Sequence, residues 1–214
     1  MRRFAAVVIG ACVLLATSAR SEDKPAPDQS TPKGTLVKMW GAIVQKNRVA
    51  LKECFTGPAQ YTALLDDLYE FAVAAFDFRD ALIKAYGADA WEQYQSAKTA
   101  KAFVPQIPPR DSRWVEEVVV TVEGDKASYV NPWTKRKEDL VRAGGKWRLV
   151  MGESAGPVKL LKALYVEGAK LLRDGAAEAV WGKKTLSELK ADLGEKFFAV
   201  MNRVMAPPEK DKKK

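Results

Sequence analysis

The sequence WVEEVVVTVEGDKASYVNPWTKRKEDLVRAGGKWRLVM, residues 114–151, decides the fold class of this chain. It is rich in β-branched residues and alternates apolar with polar side chains, which is typical of half-buried strands. Gly124-Asp125 and Gly144-Gly145 each predict a tight turn between two such strands. We therefore predict an antiparallel meander of four strands, at about residues 114–123, 126–133, 136–142 and 146–151.

Helical periodicity precedes this meander. Thr31-Pro32 predicts the start of a first helix, because a threonine cap followed by proline suits the first helical turn. Asn47 predicts the cap of a short second helix. Residues 59–86 place apolar side chains three and four positions apart, opposite a mostly acidic face. This pattern predicts a long third helix, with a kink or a break, that ends at Gly87.

Two further helices follow the meander. The first begins after Gly156-Pro157, and we expect it to end near Gly175. The pattern from Thr185 to Glu188 is a capping box, in which each residue satisfies a backbone amide of the other. It opens a last amphipathic helix that Pro207-Pro208 terminates.

Three pieces of the sequence carry a resemblance to a known superfamily: the helix opened by TP (31–32) and closed by AIVQKN (42–47), the joint VEGDKA (122–127), and the hairpin GGKWRLV (144–150). In this order they resemble the nuclear-transport-factor-two-like superfamily, which includes ketosteroid isomerases and polyketide cyclases. The resemblance implies an α+β domain over residues 31–152, with N-terminal helices packed on a curved antiparallel sheet that forms a cone. Residues 153–206 are then a C-terminal helical extension.

The ends of the chain predict export. Arg2 and Arg3 precede an apolar stretch that small residues close, so residues 1–19 are typical of a cleavable signal peptide. Residues 20–30 read as a disordered linker, and residues 207–214 as a disordered basic tail. No other stretch approaches the roughly 20 apolar residues of a transmembrane helix. An extracytoplasmic location follows, periplasmic or secreted. The alternative is a lipoprotein of the envelope, anchored through a lipidated Cys12.

The cysteine content and the charge distribution bear on two classes of protein, those held by disulfides and those that bind nucleic acid. Without Cys12, the mature chain keeps Cys54 as its one thiol, so packing and not disulfides must hold the fold. Of the formal charge of +8, Arg2 and Arg3 carry +2, and residues 210–214 of the tail carry +3. The remaining charge is spread over a surface of mixed sign, which does not favour nucleic acid as a partner.

The residue inventory excludes several chemistries. The chain contains no histidine, so catalytic triads and His-containing zinc sites are ruled out, and we expect neither a metal nor a cofactor. Carboxylate chemistry remains. Glu116 lies on the same face of the first predicted strand as Trp114 and Val118. This position beside apolar side chains makes it a weak candidate for a catalytic base. An ordinary surface ion pair is the competing interpretation.

A ligand pocket is the second functional hypothesis. Arg79 could bind an anionic group of the ligand in this pocket, as an anion clamp. The simpler interpretation is that its aliphatic stem packs on apolar residues while its guanidinium reaches solvent. The conditional pocket residues are Trp40, Phe71, Arg79, Trp114, Tyr129 and Trp147. Aromatic residues at these spacings also fill cores. We therefore expect an exported, non-enzymatic binding or assembly protein, whose partner is a small apolar ligand, another protein, or a second copy through the sheet. The alternatives are an isomerase- or cyclase-type enzyme and a lipid-anchored scaffold.

Overall fold

The computed structural model describes residues 28–96, 112–132, 135–153 and 156–206, and these form an α+β fold. The predicted signal peptide, most of the linker before residue 28 and the tail after residue 206 lie outside the described residues. The helices are α1 (Pro32–Val44), α2 (Arg48–Glu53), α3 (Ala59–Thr62), α4 (Leu65–Tyr86), α5 (Ala90–Ser96), α6 (Trp114–Glu117), α7 (Val158–Trp181) and α8 (Leu186–Met205). The strands are β1 (Phe55–Thr56), β2 (Val120–Glu123), β3 (Lys126–Val130), β4 (Lys137–Ala143) and β5 (Lys146–Val150).

The predicted helix caps are confirmed. The Thr31 hydroxyl accepts a hydrogen bond from the backbone N–H of Gly34 at 2.9 Å, with Pro32 as the first residue of α1. The Asn47 side chain caps α2 in the same way. Gly87 ends α4 at φ 100°, a conformation that suits glycine. The long helix predicted at residues 59–86 is broken into α3 and α4.

The meander is confirmed, and a fifth strand extends it. The strand order is β1-β5-β4-β3-β2, with three antiparallel pairs from β2 to β5. β1 pairs with β5 in parallel, so the sheet is mixed, and the expectation of a purely antiparallel sheet is wrong at this edge. The N–H groups of Leu149 and Met151 donate to the carbonyls of Cys54 and Thr56, each at 2.8 Å. The five strands do not close into a barrel.

The start of the first meander strand is a correction to the sequence analysis. Residues 114–117 form the helical turn α6, and β2 begins only at Val120. The turn buries both Trp114 and Val115, whereas an alternating strand would have placed these neighbours on opposite faces. Trp114 packs edge-on against Trp40 of α1, with ring centroids 6.0 Å apart. Tertiary packing therefore overrides the local β propensity here.

The end of α7 is a second correction. The helix does not stop near Gly175 but continues to Trp181, where Gly182 ends it at φ 65°. Gly175 instead serves packing. A methyl group at this position would lie 2.8 Å from Leu193 of α8 and 3.1 Å from Phe78 of α4. The glycine therefore lets three helices approach closely.

The C-terminal helices share the core of the sheet and the N-terminal helices. Gly168 faces Phe71, and Gly175 faces Phe78, so α7 runs parallel to α4. α8 returns antiparallel and buries Phe197 completely. Both helices belong to the same apolar cluster as the inner face of the sheet. Among the described residues, no helix is long and apolar enough to cross a membrane.

Candidate functional site

The two faces of the sheet differ in what covers them. Residues paired across neighbouring strands point to the same face. One face, called the inner face here, carries the buried side chains of Tyr129, Leu140, Trp147 and Leu149 and packs against the helices. The other, called the outer face, is largely exposed. The space between helices and sheet is therefore occupied by the chain's own side chains, as the core residues show.

A groove opens where β2 begins and β3 ends. Its volume is about 670 Å³. Outer-face residues form one wall, and α6 with the turn into β2 forms the other. The residues that line the groove are Trp114, Glu117, Val118, Val119, Thr121, Ser128, Tyr129, Val130, Pro132 and Lys137. We call this the β2 groove.

A hydrogen-bonded cluster fixes Tyr129 beside the β2 groove. The Tyr129 hydroxyl donates to one oxygen of Glu138, the residue opposite it on β4. The other Glu138 oxygen accepts from the Asn131 amide at 2.8 Å. Burial, followed by the Glu138 charge and this hydrogen bond, raises the pKa of Tyr129 far above its ordinary value. Tyr129 thus stays a protonated phenol whose ring is held in one orientation.

A second phenol lies near the same carboxylate. Burial, and then the Glu138 charge, raises the pKa of Tyr165 on α7 to about 12. The Tyr165 ring packs against Phe71 of α4, with centroids 5.8 Å apart. Because both phenols stay neutral at physiological pH, the cluster supplies fixed dipoles rather than a group that exchanges protons.

The lining of the β2 groove suits the binding of an amphipathic molecule. Trp114, Val118 and Val130 provide apolar walls, while Thr121 and Ser128 add hydroxyls. Lys137 brings a positive charge, and its ammonium lies 4.0 Å from Asp139, where both side chains are more than half exposed. An exposed pair at this distance is weak and leaves the ammonium free to meet an anionic group. The part of the chain that the structure describes contains no cluster of three His, Cys, Asp or Glu residues suited to a metal.

The structure brings only part of the predicted pocket together. Trp114 and Tyr129 both line the β2 groove, as expected. Trp40 is buried and packs against both Trp114 and Phe76, and the centroids of the Trp40 and Phe76 rings are 5.1 Å apart. Phe71 lies between α4 and α7, away from the groove lining. Trp147 is buried in β5, where it joins the core.

The two charged candidates lie outside the groove lining. Glu116 is exposed on α6, and its backbone carbonyl accepts a hydrogen bond from Lys33 at 2.8 Å. The interpretation that placed its side chain beside Trp114 and Val118 on a strand face is wrong, because this segment is helical. Arg79 is half-buried on α4, and its Nε and Nη1 atoms are buried without a hydrogen-bond acceptor in the described chain. The anion clamp at Arg79 stays a prediction.

Sequence reasoning missed four residues of the groove lining. Val119, Ser128, Val130 and Lys137 line the β2 groove, and none was a candidate. The alternation within β3 is the sequence signal for two of them, because it places Ser128 and Val130 on the other face of the sheet from Tyr129. Comparison with known proteins adds no further assignment, since no family model, curated protein or solved structure matches this chain.

Proposed function

We propose that the protein is an exported, non-enzymatic binding protein, and that the β2 groove takes an apolar molecule carrying one anionic group. The observation that carries this proposal is the groove itself, with its volume of about 670 Å³ and its apolar walls. Pockets for small molecules have volumes of roughly 300–1,000 Å³ and few polar groups. Lys137 supplies the charge that fixes the orientation of such a ligand.

Export rests on the N-terminal sequence. The charged start at Arg2 and Arg3, the apolar stretch and the small residues before position 20 support a signal peptide that is removed. Mass spectrometry of the mature protein tests this point. An unmodified chain beginning at residue 19 or 20 is expected, whereas an acylated Cys12 would favour the lipoprotein.

Membership of the nuclear-transport-factor-two-like superfamily is part of the same proposal. Its support is the order of elements, with N-terminal helices followed by an antiparallel meander. The two sequence joints at residues 122–127 and 144–150 lie at the hairpin turns of this meander. A curved, cone-like sheet is the shape that the resemblance implies.

The enzymatic alternative depends on a carboxylate held in apolar surroundings. Glu116 is exposed, so it lacks the apolar surroundings that this chemistry requires. Glu117 lines the groove instead, but near a wall that also carries hydroxyls and Lys137. These surroundings support binding more than proton abstraction from carbon.

Fluorescence of 8-anilinonaphthalene-1-sulfonate tests binding in the β2 groove, because this probe joins an apolar ring system to one anionic group. We expect saturable binding that Val130→Asp weakens at least tenfold, since the new carboxylate lies in the groove and repels the sulfonate. The matched control is Val166→Asp on α7, where the valine is exposed to a similar extent, 47% against 59%. Lys137→Gln should weaken binding by only about twofold to fivefold, as expected for loss of a partly exposed ion pair. Equal binding by the Val130→Asp and Val166→Asp variants would overturn the assignment of the groove.

A further inference from the structure

β2 forms an edge of the sheet with the features of a pairing surface. Among the described residues, its one strand neighbour is β3. Val119 is 82% exposed and Val122 is 53% exposed. Residues 118–122 read Val-Val-Val-Thr-Val, without the proline or charge that usually protects an edge from pairing. This edge is therefore chemically suited to accept another strand.

The hydrogen-bond phase of the hairpin decides which backbone groups point outward. The two-residue turn at Gly124-Asp125 is flanked by Glu123 and Lys126, which form the hydrogen-bonded pair that closes it. The N–H of Arg142 donates to the carbonyl of Asp125, so Asp125 faces β4 and its neighbour Lys126 faces β2. The pairing alternates along β2. Val120 and Val122 therefore direct their N–H and carbonyl groups away from β3.

These outward groups are complementary to themselves under two-fold symmetry. When a second copy of β2 approaches antiparallel, Val120 lies opposite Val122 of the second copy, and the reverse holds on the other side of the axis. Each of these two pairs exchanges two backbone hydrogen bonds. Thr121 then lies on the axis, opposite Thr121 of the second copy, in the closer type of pair.

The side chains agree with this register. The two threonines meet on the outer face, and Thr–Thr pairs across strands are favourable. Val120 and Val122 meet on the other face and cover apolar surface that is exposed in one copy. Glu123 lies opposite Val119 of the second copy, so no like charges face each other. A register shifted by two residues toward the turn would pair Val120 with Gly124 and lose this packing.

We propose that two copies of the protein associate by antiparallel pairing of β2 with β2, with Thr121 on the two-fold axis, and so join their sheets into one. A second copy is the partner because the outward backbone groups, the side chains and the charges of β2 are all complementary to those of another β2 strand. Thr121 and Val119 of this edge also line the β2 groove, but the inference does not rest on ligand binding there, and its tests do not use the ligand.

Disulfide cross-linking tests the register. Thr121→Cys is introduced into a Cys12→Ser chain, in which Cys54 is the sole native thiol and is fully buried. Under mild oxidation with copper phenanthroline we expect most of the chain to become a covalent dimer, because directly opposite residues in the closer pairs have Cα atoms about 4.5 Å apart. The matched control is Ser128→Cys, which lies on the same face of the neighbouring strand and opposite Thr121 within one copy. Equal cross-linking of the two variants, or none in either, would overturn the proposal.

A proline variant tests the pairing without a cross-link. Val122→Pro removes an N–H group that points away from β3, so the fold tolerates it at an edge. We expect sedimentation equilibrium to show a self-association constant at least tenfold weaker than that of the unsubstituted chain, with an unchanged circular dichroism spectrum. Unchanged association of a folded Val122→Pro variant would refute the proposal.

Discussion

Gly57 offers the sharpest test of the fold, because it holds the strand that makes the sheet mixed. It follows β1 directly and has φ 146°, a backbone conformation that residues with a Cβ rarely adopt. A methyl group added here would overlap the backbone carbonyl oxygen of Met151 and lie 3.1 Å from its carbonyl carbon. Since the obstacle is backbone, no side-chain rotation relieves it.

The cost of Gly57→Ala can be worked out from these contacts. Holding an alanine at positive φ costs roughly 1–2 kcal/mol. Relief of the overlap moves β1 away from β5 and breaks the bond from the Met151 N–H to the Thr56 carbonyl, which costs about 1 kcal/mol more. We therefore expect the free energy of unfolding to fall by about 2–3 kcal/mol, or a Tm lower by roughly 4–12 °C for a domain of this size.

Urea unfolding followed by tryptophan fluorescence measures this loss. The control is Gly182→Ala, because Gly182 also has positive φ, 65°, but a methyl group there would meet no atom within 4 Å. Its loss should be about 1 kcal/mol, from the backbone conformation alone. If Gly57→Ala costs no more than Gly182→Ala, β1 does not lie against Met151 as described, and the reasoning fails.

Three further predictions follow from the packing and the charges. Gly175→Ala should lower stability by about 1 kcal/mol in thermal unfolding, because overpacking against Leu193 costs about 1–3 kcal/mol and exceeds the helix propensity of alanine, about 1 kcal/mol; a more stable variant would contradict this. Hydrogen bonds from Lys184 and then Lys196 lower the pKa of Asp192, so this carboxylate stabilises the fold above its ordinary pKa of 3.8 and the benefit is lost as the pH falls through its lower folded pKa. Urea unfolding between pH 2 and 6 should show a smaller acid loss for Asp192→Asn, and identical pH profiles would refute this. Burial raises the pKa of Cys54 to about 11, so at neutral pH it carries about 100-fold less thiolate than an ordinary thiol, and dithiobisnitrobenzoate should label it only after unfolding.

Local signals predicted the helix termini well. The capping box at Thr185 and Glu188 is present, with the Thr185 N–H donating to the Glu188 carboxylate at 2.8 Å. Such a cap needs only residues within one turn of each other, so the sequence contains all of its physics. The same holds for the glycine turns of the two hairpins.

The elements that the sequence analysis missed depend on distant partners. β1 is two residues long and exists because the carbonyls of Cys54 and Thr56 accept hydrogen bonds from Leu149 and Met151, nearly a hundred residues later. α6 is helical because Trp114 reaches Trp40, although its own residues favour a strand. Gly175 is the usual signal of a helix end, but here it serves contact with Leu193.

The candidate site divides in the same way. Trp114 and Tyr129 were predictable as pocket residues because large aromatic side chains beside a sheet line any cavity there. The other lining residues, Val119, Ser128, Val130 and Lys137, were not predictable. They form a groove only because the chain bends between α6 and β2, and the sequence does not show where this bend lies. Glu116 failed as a candidate for the same reason, since one helical turn moves its side chain away from the strand face.

The parallel packing of α7 against α4 has a consequence for how the chain is made. Phe71 and Phe78 on α4 meet Gly168 and Gly175, which are synthesised about a hundred residues later. Until α7 and α8 leave the ribosome, α4 can pack against α1 and α5 but lacks its contacts with the C-terminal helices, so the nascent chain cannot complete its core. Docking of the C-terminal helix pair is therefore a step that folding can reach only after nearly the whole chain has been synthesised.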